Sequence, residues 1–300
     1  MSKNPLVSFC IFSYNQEDFI LDALEGAVSQ DYDNLEIIIS DDCSKDNTQK
    51  KIDEFVAAYK GPHKIIVNKN SPNLGIAKHV NKILYEFAHG EIILMAAGDD
   101  KSLPNRTQMS VDYFNRFPEI ASLSFLTQAT DEHLNPKINY EETSFRPHTF
   151  TILTLNDYLR YNIGCFSGDS RALRRSVIDS FPPLSYARSE DYFLYLRSMM
   201  IGSICYIREP ALLRRLHGNN VSSSIPTREG NKRNFQQFKA DIEWAAEKGY
   251  ISDKAKKKLI EKTTRITKYR AIDVLRRRFI LFCRSNKLIR SMYLKKEVKS

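Results

Sequence analysis

The chain has 300 residues, of which 42% are hydrophobic and 27% charged, and its formal net charge is +9 at pH 7. These values are ordinary for a globular protein and allow one large domain, or one domain with an appendage. No apolar run is long enough for a membrane helix, no signal peptide is visible, and the five scattered cysteines lack a CxxC pair, which together predict a cytoplasmic protein without structural zinc.

Predicted strands alternate with predicted helices over the first hundred residues. The strands are Leu6–Phe12, Leu35–Ser40, Lys64–Asn68 and Ile92–Ala97. The helices are Gln16–Gln30, Asn47–Tyr59 and Gly75–Ala88. This alternation predicts an α/β fold in which a mostly parallel sheet, joined by right-handed crossovers, is flanked by helices.

The middle of the chain is less regular. Its predicted elements are a helix at Pro104–Phe117, a strand at Ala121–Ala129, a polar loop at Asp131–Thr151, helices at Arg175–Ser180 and Ser189–Met200, a strand at Ile204–Ile207 and a separate segment at Leu212–His217. Serine and proline cluster between Ser222 and Pro226 and predict a boundary there. We therefore expect a main domain at residues 1–222 and a helical, basic C-terminal region at residues 223–300.

The positive charge is concentrated at the end of the chain. From Lys254 onward Lys and Arg are dense, with runs at 256–258 and 276–278, and apolar residues lie between them at helical spacing. A basic amphipathic helix of this kind often lies on an anionic membrane surface. Packing of the apolar stripe on the main domain is an equal alternative, and the lack of zinc-finger or RNA-binding motifs argues against nucleic acid as a partner.

Polar side chains follow the first two predicted strands. Ser13, Tyr14 and Asn15 come after the first strand, and Asp41 and Asp42 come after the second. The carboxyl ends of parallel strands meet at one edge of the sheet, where α/β proteins bind their ligands. Carboxylates there can accept hydrogen bonds from a base N–H or from ribose hydroxyls, and a tyrosine ring can stack on a base. Helix capping by the polar turn and simple packing of the tyrosine are the alternatives.

A second pair of carboxylates ends the fourth predicted strand. Gly98 permits a tight exit from this apolar strand, and Asp99 and Asp100 follow it. Adjacent carboxylates repel each other unless a cation neutralises them, and Mg²⁺ prefers carboxylate and phosphate oxygens. No GxGxxG follows a predicted strand and no GxxxxGK[ST] is present, so a phosphate group would need another cation, which a metal at this pair would supply. A solvated Gly-Asp-Asp turn is the alternative.

Four segments amount to a family resemblance. Val7–Asn15, Ser40–Asp46, Asn73–Gly75 and Ala97–Asp100 closely resemble, in order and spacing, the motifs of the family 2 glycosyltransferases. The resemblance covers roughly residues 5 to 220 and, because four linked motifs match, it is specific. It implies a GT-A fold, which is a Rossmann-like sheet flanked by helices, and an inverting sugar transfer.

The resemblance implies a set of donor-binding residues. They are Ser13, Tyr14, Asn15, Asp41, Asp42, Gly75, Lys78 and Asp99. By this match Asp42 and Asp41 would contact uracil and ribose. The turn that ends at Gly75 would open a helix near the donor, and Lys78, one turn further, would face the diphosphate. An ordinary surface lysine explains Lys78 equally well.

The resemblance also implies a metal site and a general base. Asp100 would coordinate Mn²⁺ or Mg²⁺ directly, Asp99 would lean toward ribose or a metal-bound water, and His217 would be a third ligand, although a lone histidine is as often structural. Asp191 would take the proton of the acceptor hydroxyl, with Glu190 as the fallback base. Acidic residues at a helix N-terminus also complement the helix dipole, which is the structural alternative.

These expectations describe an inverting, metal-dependent transferase. It would move a sugar from a UDP-sugar, or from a dTDP- or GDP-sugar, to a saccharide or lipid-linked saccharide, in polysaccharide synthesis at the cytoplasmic face of the inner membrane. The acceptor would bind near Asp131–Gly168 and the C-terminal region. One alternative is a non-catalytic sugar-nucleotide-binding or membrane-associated assembly protein, although such a protein would not need the Asp191 base. Another is a nucleotidyltransferase, but residues 13–17 lack the glycine-rich, basic loop that such enzymes usually carry.

Overall fold

The computed structural model of the chain describes residues 4–137, 150–161, 170–187, 190–218 and 228–265. Within this part of the chain, nine strands form a single sheet. They are β1 (Val7–Ser13), β2 (Leu35–Asp41), β3 (Lys64–Lys69), β4 (Ile92–Ala97), β5 (Lys101–Ser102), β6 (Ile120–Thr130), β7 (Phe150–Leu153), β8 (Ala172–Arg174) and β9 (Ser203–Arg215).

Helices cover the sheet. They are α1 (Ile20–Val28), α2 (Thr48–Ala58), α3 (Ile76–Lys82) with a π-helical continuation (Ile83–Phe87), α4 (Arg106–Arg116), α5 (Leu155–Arg160), α6 (Arg175–Asp179), α7 (Asp191–Ile201), α8 (Arg228–Glu247) and α9 (residues 253–265). No helix in the described part of the chain is both long and apolar enough to span a membrane.

The strands follow the order β3-β2-β1-β4-β8-β6-β9-β5, and β7 pairs with β9. The first four of these are mutually parallel, and β8 runs antiparallel to both β4 and β6. The predicted α/β fold with a mostly parallel sheet is therefore confirmed. Because the first half of the sheet is parallel, the carboxyl ends of β1, β2 and β4 lie at the same edge.

Burial on both faces of the sheet explains the apolar strands. In β2, Ile37 and Ile39 point into the core on one face, whereas Ile38 points into the core on the other face, and all three are fully buried. The α3 and α6 helices supply the second face, with Val80 and Val177 packing among its buried residues. A strand covered on both sides loses the alternation of polar and apolar residues, as the sequence of β2 shows.

The described part of the C-terminal region packs on the rest of the molecule. Phe238 and Ile242 of α8 and Leu259 of α9 belong to the same apolar cluster as Phe193 and Leu196 of α7. The basic region that begins at Lys254 is described only as far as residue 265, and this part packs on the rest of the molecule through Leu259. The boundary segment at 222–226 and the basic run at 276–278 lie outside the described residues.

Four predicted elements differ from the structure in extent. The Ile204–Ile207 strand and residues 212–215 of the Leu212–His217 segment belong to one strand, β9, because a register shift opposite Leu126 of β6 accommodates Pro210. The predicted loop at Asp131–Thr151 ends early, since β7 begins at Phe150.

The helix predicted from Gln16 begins only at Ile20. The N–H groups of Gln16 and Glu17 donate instead to side chains of the next loop, to Oγ1 of Thr48 at 2.7 Å and to Oδ2 of Asp46 at 3.1 Å. The loops after β1 and β2 are therefore tied to each other before α1 starts.

Candidate active site

The strand ends that carry the predicted site residues meet at one edge of the sheet. Ser13, the last residue of β1, is paired in register with Asp41, the last residue of β2. On the other side of β1, the N–H of Gly98 donates to the carbonyl of Phe12 at 2.9 Å. A Cβ atom at Gly98 would lie 2.9 Å from Cβ of Ser13, so the ends of β1 and β4 approach this closely only with glycine. The two acidic segments are thereby brought to the same edge.

The carboxylate of Asp42 is buried and holds the turn before α3. Its Oδ1 accepts hydrogen bonds from Nδ2 of Asn70 and from the N–H of Leu74, and its Oδ2 accepts one from the N–H of Gly75, each at 2.9 Å. Gly75 has φ of 74°, a left-handed conformation that glycine adopts at little cost. The Asp42 carboxylate is therefore engaged in three hydrogen bonds within the protein, which the sequence did not indicate.

Buried polar side chains behind Asp42 continue this network. Oδ1 of Asn70 accepts from Nδ2 of Asn68 and from Nζ of Lys82, both at 3.0 Å, and Nδ2 of Asn68 also donates to Oγ of Ser40 at 2.9 Å. The same Ser40 hydroxyl lies 2.6 Å from Nε2 of His79. Burial lowers the pKa of His79 and so favours its neutral ring. Sequence reasoning missed this network, and its one signal was the density of asparagine near β3.

The loop after β1 is fastened to the turn after β2. Asp41 is fully buried and accepts hydrogen bonds from the N–H of Ser44, at 2.8 Å, and from the Ser44 hydroxyl. Asn15, at φ of 51°, accepts from the N–H of Lys45 at 2.8 Å and donates its own N–H to Oγ of Ser44 at 2.8 Å. Tyr14 remains 42% exposed above this wall, where its ring can meet a ligand.

Asp99 and His217 are paired across the edge. Oδ2 of Asp99 lies 3.0 Å from Nε2 of His217, and both side chains are largely buried. The imidazole also packs on Phe19, with ring centroids 4.6 Å apart, next to an open pocket between Gln16 and His217. In an octahedral site with metal–oxygen distances of about 2.1 Å, neighbouring donor atoms lie about 3 Å apart, so this pair fits two adjacent ligands of one divalent cation.

Arg215 organises the Asp99–Asp100 turn from the end of β9, and sequence reasoning missed it. Its N–H donates to Oδ1 of Asp100 at 2.9 Å, and its Nε donates to the carbonyl of Asp99 at 3.0 Å. The guanidinium is buried, forms an ion pair with Asp22 at 2.6 Å and also donates to the carbonyl of Glu132. A planar guanidinium group carries five N–H donors and therefore suits a position at which several acceptors converge.

The three predicted metal ligands therefore differ in their surroundings. Asp99 and His217 face each other, whereas one oxygen of Asp100 is bonded to the β9 backbone. Among the residues that the structure describes, no three Asp, Glu, His or Cys side chains are grouped closely enough to hold a metal ion. The residues present fit a site in which Asp99 and His217 provide protein ligands and Asp100 lies beside them.

Glu190 and Asp191, the two candidates for the general base, lie at the start of α7. The Asp191 side chain is 50% exposed, and Arg171, which is 1% exposed, donates from one guanidinium nitrogen to the Asp191 carbonyl at 2.7 Å and lies 3.7 Å from its Oδ1. Glu190 differs sharply, because its Oε2 is shielded from solvent and has no hydrogen-bond partner among the described residues. Burial of the carboxyl, and secondly the charge of Asp191, raise the pKa of Glu190 to about 8.

Lys78 is the predicted donor residue that the structure leaves apart. It lies exposed on α3, and no contact among the described residues joins it to the acidic edge. Parts of the predicted site segments, residues 189 and 219–222, lie outside the described residues. The remaining predicted side chains, from Ser13 to His217, occupy the edge or the start of α7.

The sequence and the fold both match known proteins. Residues 8–181 match the family model described as "Glycosyl transferase family 2". WcaA of Escherichia coli, a putative colanic acid biosynthesis glycosyl transferase, is 33% identical over 106 residues, which are 35% of this chain and 37% of WcaA. The chain spans 37 to 41% of the length of the curated relatives at this level of identity.

Two solved structures share the fold at low sequence identity. Staphylococcus aureus TarS (residues 1–349), in complex with UDP-GlcNAc, has a TM-score of 0.64 and 17% identity, covering 86% of this chain and 71% of that one. The mannosyltransferase PcManGT of Pyrobaculum calidifontis, in complex with GDP-Man and Mn²⁺, has a TM-score of 0.60 and 15% identity, covering 98% and 80%. The predicted GT-A fold is confirmed by this likeness. Because the family model matches more than half of its length, the chain belongs to glycosyl transferase family 2.

Proposed function

We propose that this chain is an inverting, metal-dependent glycosyltransferase. It transfers a sugar from a nucleoside-diphosphate sugar to a hydroxyl group of a saccharide or lipid-linked saccharide. The observation that carries the proposal is the meeting of the Asp99–His217 pair with the ends of β1 and β2 at one sheet edge, where α/β proteins bind ligands. Family membership supports the class of reaction. The side chains at this edge support the binding of a donor nucleotide and a divalent cation.

The donor nucleotide lies against the loop after β1. Tyr14 presents an exposed ring to the base, and the buried Asp41 and Asp42 hold the surrounding turns in place. Uracil and thymine carry an N3–H donor and guanine carries a ring N–H donor, so UDP-, dTDP- and GDP-sugars are the candidate donors. TarS was solved with UDP-GlcNAc and PcManGT with GDP-Man, which supports a nucleotide sugar as donor for this chain.

Asp99 and His217 would hold a divalent cation, with Asp100, the direct ligand that the resemblance implies, beside them. Mn²⁺ in the PcManGT complex supports Mn²⁺ or Mg²⁺ here. When bound, the cation offsets the negative charge that builds on the leaving nucleoside diphosphate. Arg215 keeps the Asp99 backbone and the Asp100 carboxylate in place through its two hydrogen bonds, so that these acceptors are oriented before the substrate arrives.

Asp191 is the general base. Its carboxylate is half exposed at the start of α7, where an acceptor hydroxyl can reach it, and the buried Arg171 fixes its backbone. The hydroxyl oxygen bonds to the anomeric carbon, the bond to the diphosphate oxygen breaks, and the hydroxyl proton passes to Asp191. Direct attack by the acceptor from the face opposite the leaving group inverts the anomeric configuration.

The acceptor and the cellular setting are inferred from a named relative and from the charge of the C-terminal region. WcaA is named for colanic acid biosynthesis, which supports a role in the assembly of a cell-surface polysaccharide. We place the enzyme at the cytoplasmic face of the inner membrane, with the basic residues after 265 against anionic lipid. Truncation after residue 265 keeps α9, whose Leu259 packs into the core, and tests this role: unchanged binding of the truncated protein to anionic vesicles would end it.

Calorimetric titration tests the donor and metal assignments. UDP, GDP and dTDP are titrated into the wild type with and without Mn²⁺, and then into Asp99→Asn, which keeps a hydrogen-bonding side chain beside His217. We expect one nucleotide to bind in a metal-dependent manner and to lose at least about tenfold in affinity in the variant. Asp33→Asn is the matched control, because Asp33 is exposed and precedes β2. If no nucleotide binds, or if binding is indifferent to Mn²⁺ and to Asp99, the proposal fails and a non-catalytic role is favoured.

A further inference from the structure

The two carboxyl groups at the start of α7 lie in opposite environments. Asp191 is half exposed, whereas Oε2 of Glu190 is shielded from solvent and has no hydrogen-bond partner among the described residues. An ionised carboxylate in such a place would lose hydration that a backbone hydrogen bond and the charge of Arg171 replace only in part, whereas a protonated carboxyl would lose much less. The charged groups that face Glu190 from the described elements are Asp191 of α7 and Arg171, which precedes β8.

Arg171 connects Glu190 and Asp191 to β4, the strand that precedes Asp99. Its carbonyl accepts hydrogen bonds from the N–H of Met95 in β4, at 2.9 Å, and from the guanidinium of Arg106, at 3.4 Å. Its own guanidinium, buried at 1% exposure, reaches the Asp191 carbonyl at 2.7 Å and lies 3.7 Å from Oδ1. These contacts therefore fix the position of Asp191 relative to Met95 of β4, which lies four residues before Asp99.

We propose that Glu190 and Asp191 act as one proton-sharing pair, in which the shielded Glu190 keeps the proton and the exposed Asp191 carries the charge, positioned by Arg171. The inference rests on the proposed function, in which Asp191 is the base, and it makes Glu190 a positioning residue. During transfer the acceptor proton passes to Asp191 while Glu190 retains its own. Asp191 then returns its proton to solvent through its exposed face, and no proton passes through Glu190.

Two near-isosteric variants separate this arrangement from the reverse one. Glu190→Gln keeps the shape of a protonated carboxyl but removes its acidic proton from beside Asp191, so we expect a moderate loss of kcat at pH 7, of about three- to tenfold, whereas Asp191→Asn should lose at least about a hundredfold. The wild-type pH profile of kcat should show an inflection near pH 8 that Glu190→Gln lacks. If Glu190→Gln loses the activity and Asp191→Asn retains it, Glu190 is the base and the proposal is overturned.

A spectroscopic measurement tests the pair without relying on turnover. The infrared difference between the wild type and Glu190→Gln should contain, at pH 7, the C=O stretch of a protonated carboxyl, and this band should vanish above about pH 9. Absence of the band at pH 7 would overturn the proposal. Presence of the band in a protein that transfers no sugar would support the pair and count against the proposed function, so the two failures are distinguishable.

Arg171 provides the check on positioning. The Arg171 charge lowers the pKa of Glu190, so Arg171→Met should move the disappearance of the infrared band to higher pH, and Arg171→Lys should move it less. The band position in Arg171→Lys serves if the methionine variant does not fold. A band that titrates at the same pH in the wild type and in both variants would show that Arg171 does not act on the pair.

Discussion

Replacing Asp42 by Asn tests whether this carboxylate serves the fold rather than the nucleotide alone. The side chain is 3% exposed and accepts three hydrogen bonds, from Asn70, Leu74 and Gly75, each at 2.9 Å. Asparagine has the same shape but one acceptor oxygen. It can keep the two donors at the Oδ1 position, and it then turns its own NH₂ group toward the N–H of Gly75.

The expected cost follows from the bond that is lost and the clash that replaces it. A hydrogen bond to a charged group contributes about 1.5–3 kcal/mol, and the N–H of Gly75 keeps a second acceptor, Oδ1 of Asn73 at 3.1 Å. We therefore expect Asp42→Asn to lower the free energy of unfolding by about 1.5–3 kcal/mol. Asp42→Ala, which removes the acceptor of all three hydrogen bonds, should cost more than Asp42→Asn.

Urea unfolding followed by circular dichroism measures this change. Asp33→Asn, which alters an exposed aspartate, is the control and should unfold within about 0.5 kcal/mol of the wild type. UDP affinity is measured on the same samples in the absence of denaturant. If Asp42→Asn is as stable as the control but has lost UDP binding, the carboxylate is reserved for the ligand, and the structural role argued from the three hydrogen bonds is refuted.

Three further variants test charges buried in the fold. The folded protein holds the Glu190 proton to about pH 8, whereas the unfolded carboxyl ionises near its ordinary pKa of 4.5, so urea unfolding should show the wild type losing up to about 1.4 kcal/mol per pH unit across this interval and Glu190→Gln losing less. Burial lowers the pKa of His79, so stability should fall as the pH drops below about 6.5, and thermal unfolding at pH 5 and 7 should show a smaller fall for His79→Gln. Asp241→Asn breaks the buried, bidentate pair with Arg197 at 2.7 and 2.9 Å and should cost about 3–5 kcal/mol in urea, most of it recovered by Arg197→Met with Asp241→Leu.

The first half of the fold could be predicted because local pattern and tertiary demand agree there. The β2 and β4 strands are buried on both faces, so their sequences are continuous apolar runs that end on polar residues. Parallel pairing then brings Ser13 and Asp41 to one edge with no further information. The predicted donor residues that follow β1, β2 and β4 lie there for this reason, although Lys78 does not, and the inward hydrogen bonding of Asp42 could not be read from the chain.

The second half resisted prediction because its contacts are long-range. Asp99 and His217 are separated by 118 positions, and Arg215 reaches Asp100 across 115. Pro210 in β9 reads as a break in a strand, but a register shift against β6 absorbs it. No local feature of the sequence distinguishes a buried arginine that donates to several carbonyl groups from an exposed one. The residue types were visible in the sequence, and their partners were not.

Buried arginines explain how the site keeps its geometry at the points where strands end. Arg106 donates to the carbonyl of Met95 at 2.6 Å and to Oγ of Ser102 at 2.9 Å, so it spans the turn that contains Asp99 and Asp100. The guanidinium of Arg215 donates to the carbonyl of Asp99, and that of Arg171 donates to the carbonyl of Asp191. A guanidinium offers five donors in a fixed plane and stays charged, whereas a lysine would offer one mobile ammonium and would more readily lose its proton when buried. The proposed transfer needs acceptors at Asp99, Asp100 and Asp191 that are oriented before the reaction begins, and the arginine side chains around them provide this rigidity.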